Sequence, residues 1–155
     1  MAIRPAPASP RLRGYDPHDR DACARIFVAA QRVAFPWEPA DAVRLSDFDR
    51  AIEGERLWVA ELPAPASSLT PWAIAGFVAV FMPDRFVHSL FVEPVFHGRG
   101  VGSALLEQAL RATAGSASLK CDERNRKACF FYERRGWRAC EWGWAPSGPW
   151  IRFSR

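Results

Sequence analysis

Little in this chain points to a metal, a membrane or a disulfide framework. Its four cysteines, Cys23, Cys121, Cys129 and Cys140, are scattered and form no C-x-x-C pair, and its three histidines, His18, His88 and His97, stand at no metal-ligand spacing. No zinc site is expected, and the cysteines read as reduced, buried small hydrophobes. No apolar run approaches the roughly 20 residues that cross a bilayer. Residues 1–10, with Pro5, Pro7 and Pro10 among alanines, lack the apolar stretch of a signal peptide and read as a flexible tail. A soluble, cytoplasmic protein without a membrane partner is the resulting expectation. Lysine is also scarce: of 21 basic residues only Lys120 and Lys127 are lysines. The net charge of +4 is too small to argue for nucleic acid. The basic cluster Arg124, Arg126, Lys127, Arg134 and Arg135 suits a solvated helix face or a phosphate ligand, and nucleic acid stands well behind.

What is present is an ordinary globular composition, 49% hydrophobic and 25% charged over 155 residues, enough for one domain with a real core. That domain is expected over residues 11–155. Leu12 to Tyr15 reads as a short strand. A helix follows Asp16-Pro17, with Ala22, Ile26, Ala29, Ala30 and Val33 at helical spacing, and Phe35-Pro36-Trp37-Glu38-Pro39 breaks it. Val43, Leu45 and Phe48 allow a weaker helix ending before Gly54. Leu57 to Leu62, Trp72 to Met82 and Phe86 to Val92 read as strands, the last two antiparallel through the turn at Pro83-Asp84. After a glycine run come a helix to about Thr113, a strand Ser116 to Cys121, and a helix Asn125 to Arg135 closed by Gly136. Trp137 to Trp144 and Trp150 to Phe153 finish the chain as strands. The strand–helix–strand unit around the glycines implies a right-handed parallel crossover.

The run Phe96-His97-Gly98-Arg99-Gly100-Val101-Gly102-Ser103 carries the chemistry. Bare N–H groups at a helix start attract anions, and glycine lets a phosphate approach them. A nucleotide triphosphatase loop needs Gly-Lys-Ser/Thr, and no lysine precedes Ser103. The dinucleotide fingerprint is nearly met by Gly98, Gly100 and Ser103, with Asp122 about 20 residues on. However, five residues separate the glycines from the strand, and too little chain follows for a second nucleotide-binding half.

Residues Val92 to Leu106 resemble the acetyl-CoA loop of the GNAT acyltransferases, whose pattern is Q/R-x-x-G-x-G/A. Gly100 and Gly102 match, and His97 stands where Gln or Arg is usual. A second block, Asn125, Ala128, Phe131, Tyr132, Gly136 and Trp137, resembles the family's N-x-x-A-x-x-F-Y-x-x-x-G-F/W segment. The resemblance spans about Trp58 to Phe153. It implies an α/β (α+β) fold: one mixed, mostly antiparallel sheet of six to seven strands, splayed at a parallel pair and flanked by about four helices. It further implies acetyl transfer from acetyl-CoA, as co-substrate, to an amine.

In that reading Phe91, Val92, His97, Gly98, Arg99, Gly100, Val101, Gly102, Ser103 and Asn125 bind the cofactor. A bulge near Val92 frees a backbone N–H for the thioester carbonyl. Tyr132 is the acid that protonates the leaving thiolate, with a core tyrosine as the plainer alternative. His88 is the candidate base; along an extended strand Phe86, His88, Leu90 and Val92 share a face, and its offset from the glycines resembles that of a histidine in arylalkylamine acetyltransferases. Glu61, Asp84 and a solvent-routed proton stay open as alternatives. Asn125 has a second reading as a helix cap. The acceptor side draws on Phe35, Trp37, Glu38 and some of Trp137, Trp142, Trp144 and Trp150, at least half of these tryptophans being expected in the core. Partners are a small-molecule or protein amine, with a homodimer open. A non-catalytic acyl-CoA-binding module on the same fold is the alternative function.

Overall fold

The computed structural model describes residues 8–155; the first seven residues of the expected tail lie outside the described residues. Seven strands form one sheet in the order β1-β2-β3-β4-β5-β7-β6. They are β1 (Arg11–Gly14), β2 (Arg56–Pro63), β3 (Trp72–Phe81), β4 (Phe86–Val92), β5 (Ser118–Asp122), β6 (Arg138–Ala145) and β7 (Gly148–Ser154). Every neighbouring pair is antiparallel except β4 with β5. The helices are α1 (Arg20–Ala34), α2 (Asp47–Ala51), α3 (Val101–Ala112) and α4 (Arg126–Glu133).

Side-chain alternation along the strands feeds two cores, one on each face of the sheet. On one face Val78, Val80 and Val87 meet Leu105, Leu106 and Ala109 of α3 and Cys129 of α4. On the other, Val59, Phe77 and Ala79 meet Ile26 and Phe27 of α1 and Phe48 of α2. Close approach of α3 and β4 to β3 depends on Gly76. A methyl there would lie 2.6 Å from the Phe91 carbonyl oxygen and 3.1 Å from both Val101 Cγ1 and Leu105 Cδ1.

The first helix differs from its expected face. Cys23, Ala24, Ile26, Phe27, Val28 and Ala30 are buried, whereas Val33 is 57% exposed. Phe27 brings the larger apolar area and so sets which side turns inward. A 3-10 turn, Pro17–Asp19, leads into α1 and is opened by a capping box: Asp16 accepts from the His18 amide at 2.9 Å, and its own amide donates to Asp19 Oδ2 at 2.8 Å. The second helix is five residues long: Phe48 is buried in the core, Val43 lies before the helix and packs against the same core, and Leu45 is half exposed.

Between β4 and β5 only Phe86↔Ser118 and Val87↔Leu119 pair before the strands part. A bulge lies at the same level: Ala79 pairs Ser89 and Val80 pairs Val87, leaving His88 as the extra residue of β4. A bulge bends its strand and sharpens the local twist, which accounts for the divergence starting here. The expected bulge near Val92 is thereby corrected. Val92 pairs regularly with Gly76, and the irregularity lies four residues earlier.

Candidate active site

The glycine run forms a turn into α3. Gly98 and Gly100 have φ of +74° and +79°, values that L side chains rarely adopt. The first α3 amide that reaches a carbonyl is that of Ala104, 3.0 Å from the Gly100 oxygen. Those of Val101, Gly102 and Ser103 precede it and lack intrahelical partners, as the first turn of any helix does. Together with the loop amides they make a positively polarised cradle. His97 folds back so that Nε2 lies 3.2 Å from the Val92 carbonyl oxygen.

The cradle is braced from the turn that follows α4. Arg135 donates from Nε and Nη2 to Ser103 Oγ at 2.8 and 2.6 Å, and its guanidinium lies 3.7 Å from the Phe131 ring centre. Phe131 fits there because Gly102 has no side chain; a methyl on Gly102 would stand 3.3 Å from the ring. The two sequence blocks, some 30 residues apart, thus meet in space. Arg135 belonged to the basic cluster by composition, but no spacing rule tied it to Ser103.

Asn125 caps α4, its Oδ1 accepting from the Ala128 amide at 3.2 Å. Two turns later Tyr132 packs among Phe131, Trp137 and Phe153. Burial pushes the Tyr132 hydroxyl above its ordinary value, so it keeps its proton near neutral pH. Phe153 is the β7 partner of Leu119, at the level where β4 and β5 part.

The other side of the splay holds a cavity of about 490 Å³ whose apolar walls include Phe27, Phe35 and Phe91. His88 and Glu55 also line it. His88 does not share a face with Leu90 and Val92. The bulge breaks the alternation, so Val87, Leu90 and Val92 pack on the α3 core while His88 turns to the α1 side. There its Nδ1 meets Glu55 Oε1. The Glu55 side chain is only 5% exposed, and its Oε2 has no partner among the described residues. Sequence reading missed Glu55, because no periodicity links residues 33 apart.

A strand–glycine turn–helix with free amides, a parallel pair splayed beside it, and a tyrosine-bearing helix braced on the turn define one arrangement. Over residues 20–137 the chain matches the acetyltransferase (GNAT) family. The chain belongs to the GNAT acetyltransferase family. Solved structures agree in fold. A GCN5-related N-acetyltransferase from Rhodopseudomonas palustris superposes with a TM-score of 0.75 at 19% identity, covering 99% of each chain. NAA60 of Arabidopsis thaliana, solved with acetyl-CoA, gives 0.70 at 16% identity over 95% of this chain and 98% of that one. The PaiA N-acetyltransferase of Thermoplasma acidophilum, solved with coenzyme A, gives 0.70 at 13% identity over 94% and 98%. No protein of curated function matches the chain.

Within this GNAT frame the remaining candidates separate. Glu61 is buried beneath β1, bonded by Arg11 at 2.7 and 2.9 Å and by Arg13 at 2.9 and 3.1 Å. Burial alone would raise its carboxyl, but the two guanidiniums outweigh that and hold it below its ordinary value. It is poorly placed to take a proton. Asp84 sits in the turn before β4. Trp137 is 2% exposed and belongs to the core. Trp142 and Trp144 are exposed on the face of β6 that carries Ile151, the α3 side, and only Trp150 faces the acceptor side, beneath Lys120 Nζ at 3.9 Å. Trp37 stacks on Arg124 at 4.4 Å, and Glu38 lines a smaller neighbouring cavity with Phe35 and Gln31.

Proposed function

We propose that this GNAT protein transfers an acetyl group from acetyl-CoA to an amine by direct attack within a ternary complex. The observation that carries the reading is the splay itself. Beyond Val87 one edge of β4 has no strand partner, and an extended pantetheine arm fits such an edge as an extra strand would. The amides of Gly98 to Ser103 at its open end suit the pyrophosphate. Phe91 contributes its backbone to that edge, since its side chain turns to Phe27 and Phe77. Arg99 and Arg135 add positive charge at the same end.

The acceptor enters the cavity beside His88. An ammonium must lose a proton before it attacks, and His88 takes it. The nitrogen then bonds the thioester carbon, and the free amides of the β4 edge at the bulge hold the developing oxyanion. As the carbon–sulfur bond breaks, Tyr132 gives its proton to sulfur and recovers one from the acylated nitrogen through solvent. The nitrogen loses two protons in all, one to His88 and one to Tyr132. The phenylalanine walls fit an amine carried on an apolar or aromatic group.

Calorimetric titration with acetyl-CoA and thiol release across a panel of primary amines test this reading. Tyr132→Phe is expected to lower turnover by roughly 10²–10³-fold while leaving acetyl-CoA affinity within about twofold. Unchanged turnover would remove Tyr132 from the acid role. Tight acetyl-CoA binding with no thiol release from any amine would favour the non-catalytic acyl-CoA-binding module.

A further inference from the structure

Two backbone irregularities far apart in sequence aim two side chains at each other. Gly54, with φ of +75°, ends the turn after α2, and the Glu55 amide bonds the Ile52 carbonyl at 3.0 Å. This turn points the Glu55 carboxylate under β4. The bulge points His88 off the strand toward it, and the Phe86 ring holds the imidazole at a centroid distance of 4.5 Å. Nδ1 of His88 meets Glu55 Oε1, while the half-exposed ring turns its other edge to the cavity. A surface ion pair needs none of this. Removing a carboxylate from water is costly, and Oε2 recovers no hydrogen bond for it. A carboxylate held so has a directional task.

We propose that Glu55 is the positioning residue of the acceptor base. Accepting the Nδ1–H, it selects the tautomer whose Nε2 lone pair faces the cavity, and its charge offsets the imidazolium formed when Nε2 takes the amine's proton. No further proton is lost: Glu55 stays ionised and His88 returns the proton to solvent after transfer. Arg50 and Glu53 line the same cavity from α2 and the turn that follows it, and Lys120 follows Leu119 on the facing strand β5. None of these bonds the imidazole. The inference rests on the acetyltransferase reading only for its kinetic consequence; the tautomer is a property of the free protein.

The test therefore has two arms. Nitrogen-15 NMR of histidine-labelled protein, with His88 assigned by difference from His88→Ala, should show Nδ1 protonated in the wild type. It should show the tautomer reversed, with Nε2 protonated, in Glu55→Leu. The same tautomer in both proteins would overturn the proposal. In the second arm, acetyl transfer is followed to phenethylamine, which is an ammonium ion near neutral pH, and to hydroxylamine, which is already uncharged. Glu55→Gln, which keeps the shape and removes the charge, should lower kcat with phenethylamine by about 10–100-fold, with a loss at least tenfold smaller for hydroxylamine and an unchanged acetyl-CoA Kd. Equal losses for the two nucleophiles would assign Glu55 a merely structural role. A wild type that transfers to neither, yet shows the expected tautomer change, would count against the acetyltransferase reading and leave the Glu55–His88 assignment standing.

Discussion

Gly76→Ala examines how the sheet delivers its strand edge to the glycine cradle. In the native packing the new methyl would lie 2.6 Å from the Phe91 carbonyl oxygen, well inside contact distance, and 3.1 Å from Val101 Cγ1 and Leu105 Cδ1. A flexible side chain cannot swing aside to relieve this, because the nearest atom is backbone. Either β4 moves away from β3 by about half an ångström or more, or the methyl displaces α3. Overpacking of this kind costs roughly 1–3 kcal/mol, and for a chain of this length that corresponds to a fall in Tm of roughly 3–10 °C. The damage has a direction. Gly76 pairs with Val92, and Val101 opens α3, so both borders of the cradle are strained at once. Acetyl-CoA binding should weaken more than the stability loss alone would produce in a folded population. The assay is differential scanning fluorimetry with and without acetyl-CoA, followed by calorimetric Kd. Gly14→Ala is the control, since nothing lies within 4 Å of its added methyl and its φ is not positive; it should stay within about 0.5 kcal/mol of wild type. A Gly76→Ala protein melting at the wild-type temperature with wild-type affinity would refute the packing argument.

Three further outcomes are expected. Asn125→Ala removes the α4 cap and should cost about 1 kcal/mol, read as a lower urea midpoint; because α4 carries Tyr132 and leads into Arg135, turnover should fall along with stability. Asp19 and Glu61 share Arg13, at 2.7 Å and 2.9 Å, and both carboxyls lie below their ordinary values of 3.8 and 4.5. For Asp19 the Arg13 hydrogen bond is the main cause; for Glu61 burial opposes the shift and the two arginines overcome it. Depressed carboxyls stabilise the fold above their unfolded values and lose that contribution as pH falls through the folded ones. The urea midpoint should therefore hold from pH 7 to 5 and drop steeply below about pH 4. Arg13→Ala should lower stability at pH 7 by roughly 2–3 kcal/mol for a partly exposed pair, read as a lower urea midpoint, and flatten the acid drop. An unaltered acid profile in that variant would show that the triad does not govern it.

Much of the site was legible locally. A strand, a glycine turn and an amphipathic helix follow one another within Phe86–Ala112, and each leaves a short-range signature: apolar residues without helical period, positive-φ glycines, then a 3.6-residue repeat. Strand β4 was placed to the residue on these grounds. Asn125 to Trp137 was legible for the same reason, a cap and a C-terminal glycine bracketing one apolar face. Local pattern misleads where an irregularity interrupts alternation. A period of two leaves no room for an extra residue and so puts His88 on the Leu90–Val92 face, and the helical spacing of Ala22, Ile26, Ala29, Ala30 and Val33 passes over Phe27.

By itself, the sequence determined the local elements, their order, and the two blocks that mark the GNAT family, since backbone propensity and glycine conformational freedom act over a few residues. Tertiary structure alone decided where β4 and β5 part, which face His88 takes, that Arg135 reaches Ser103, and that Glu55 lies under the imidazole. These depend on strand register and on contacts between residues tens of positions apart, where the pairing of one chain segment sets the direction of a side chain on another. The cradle was thus written in the chain, and the chemistry set beside it was written in the packing.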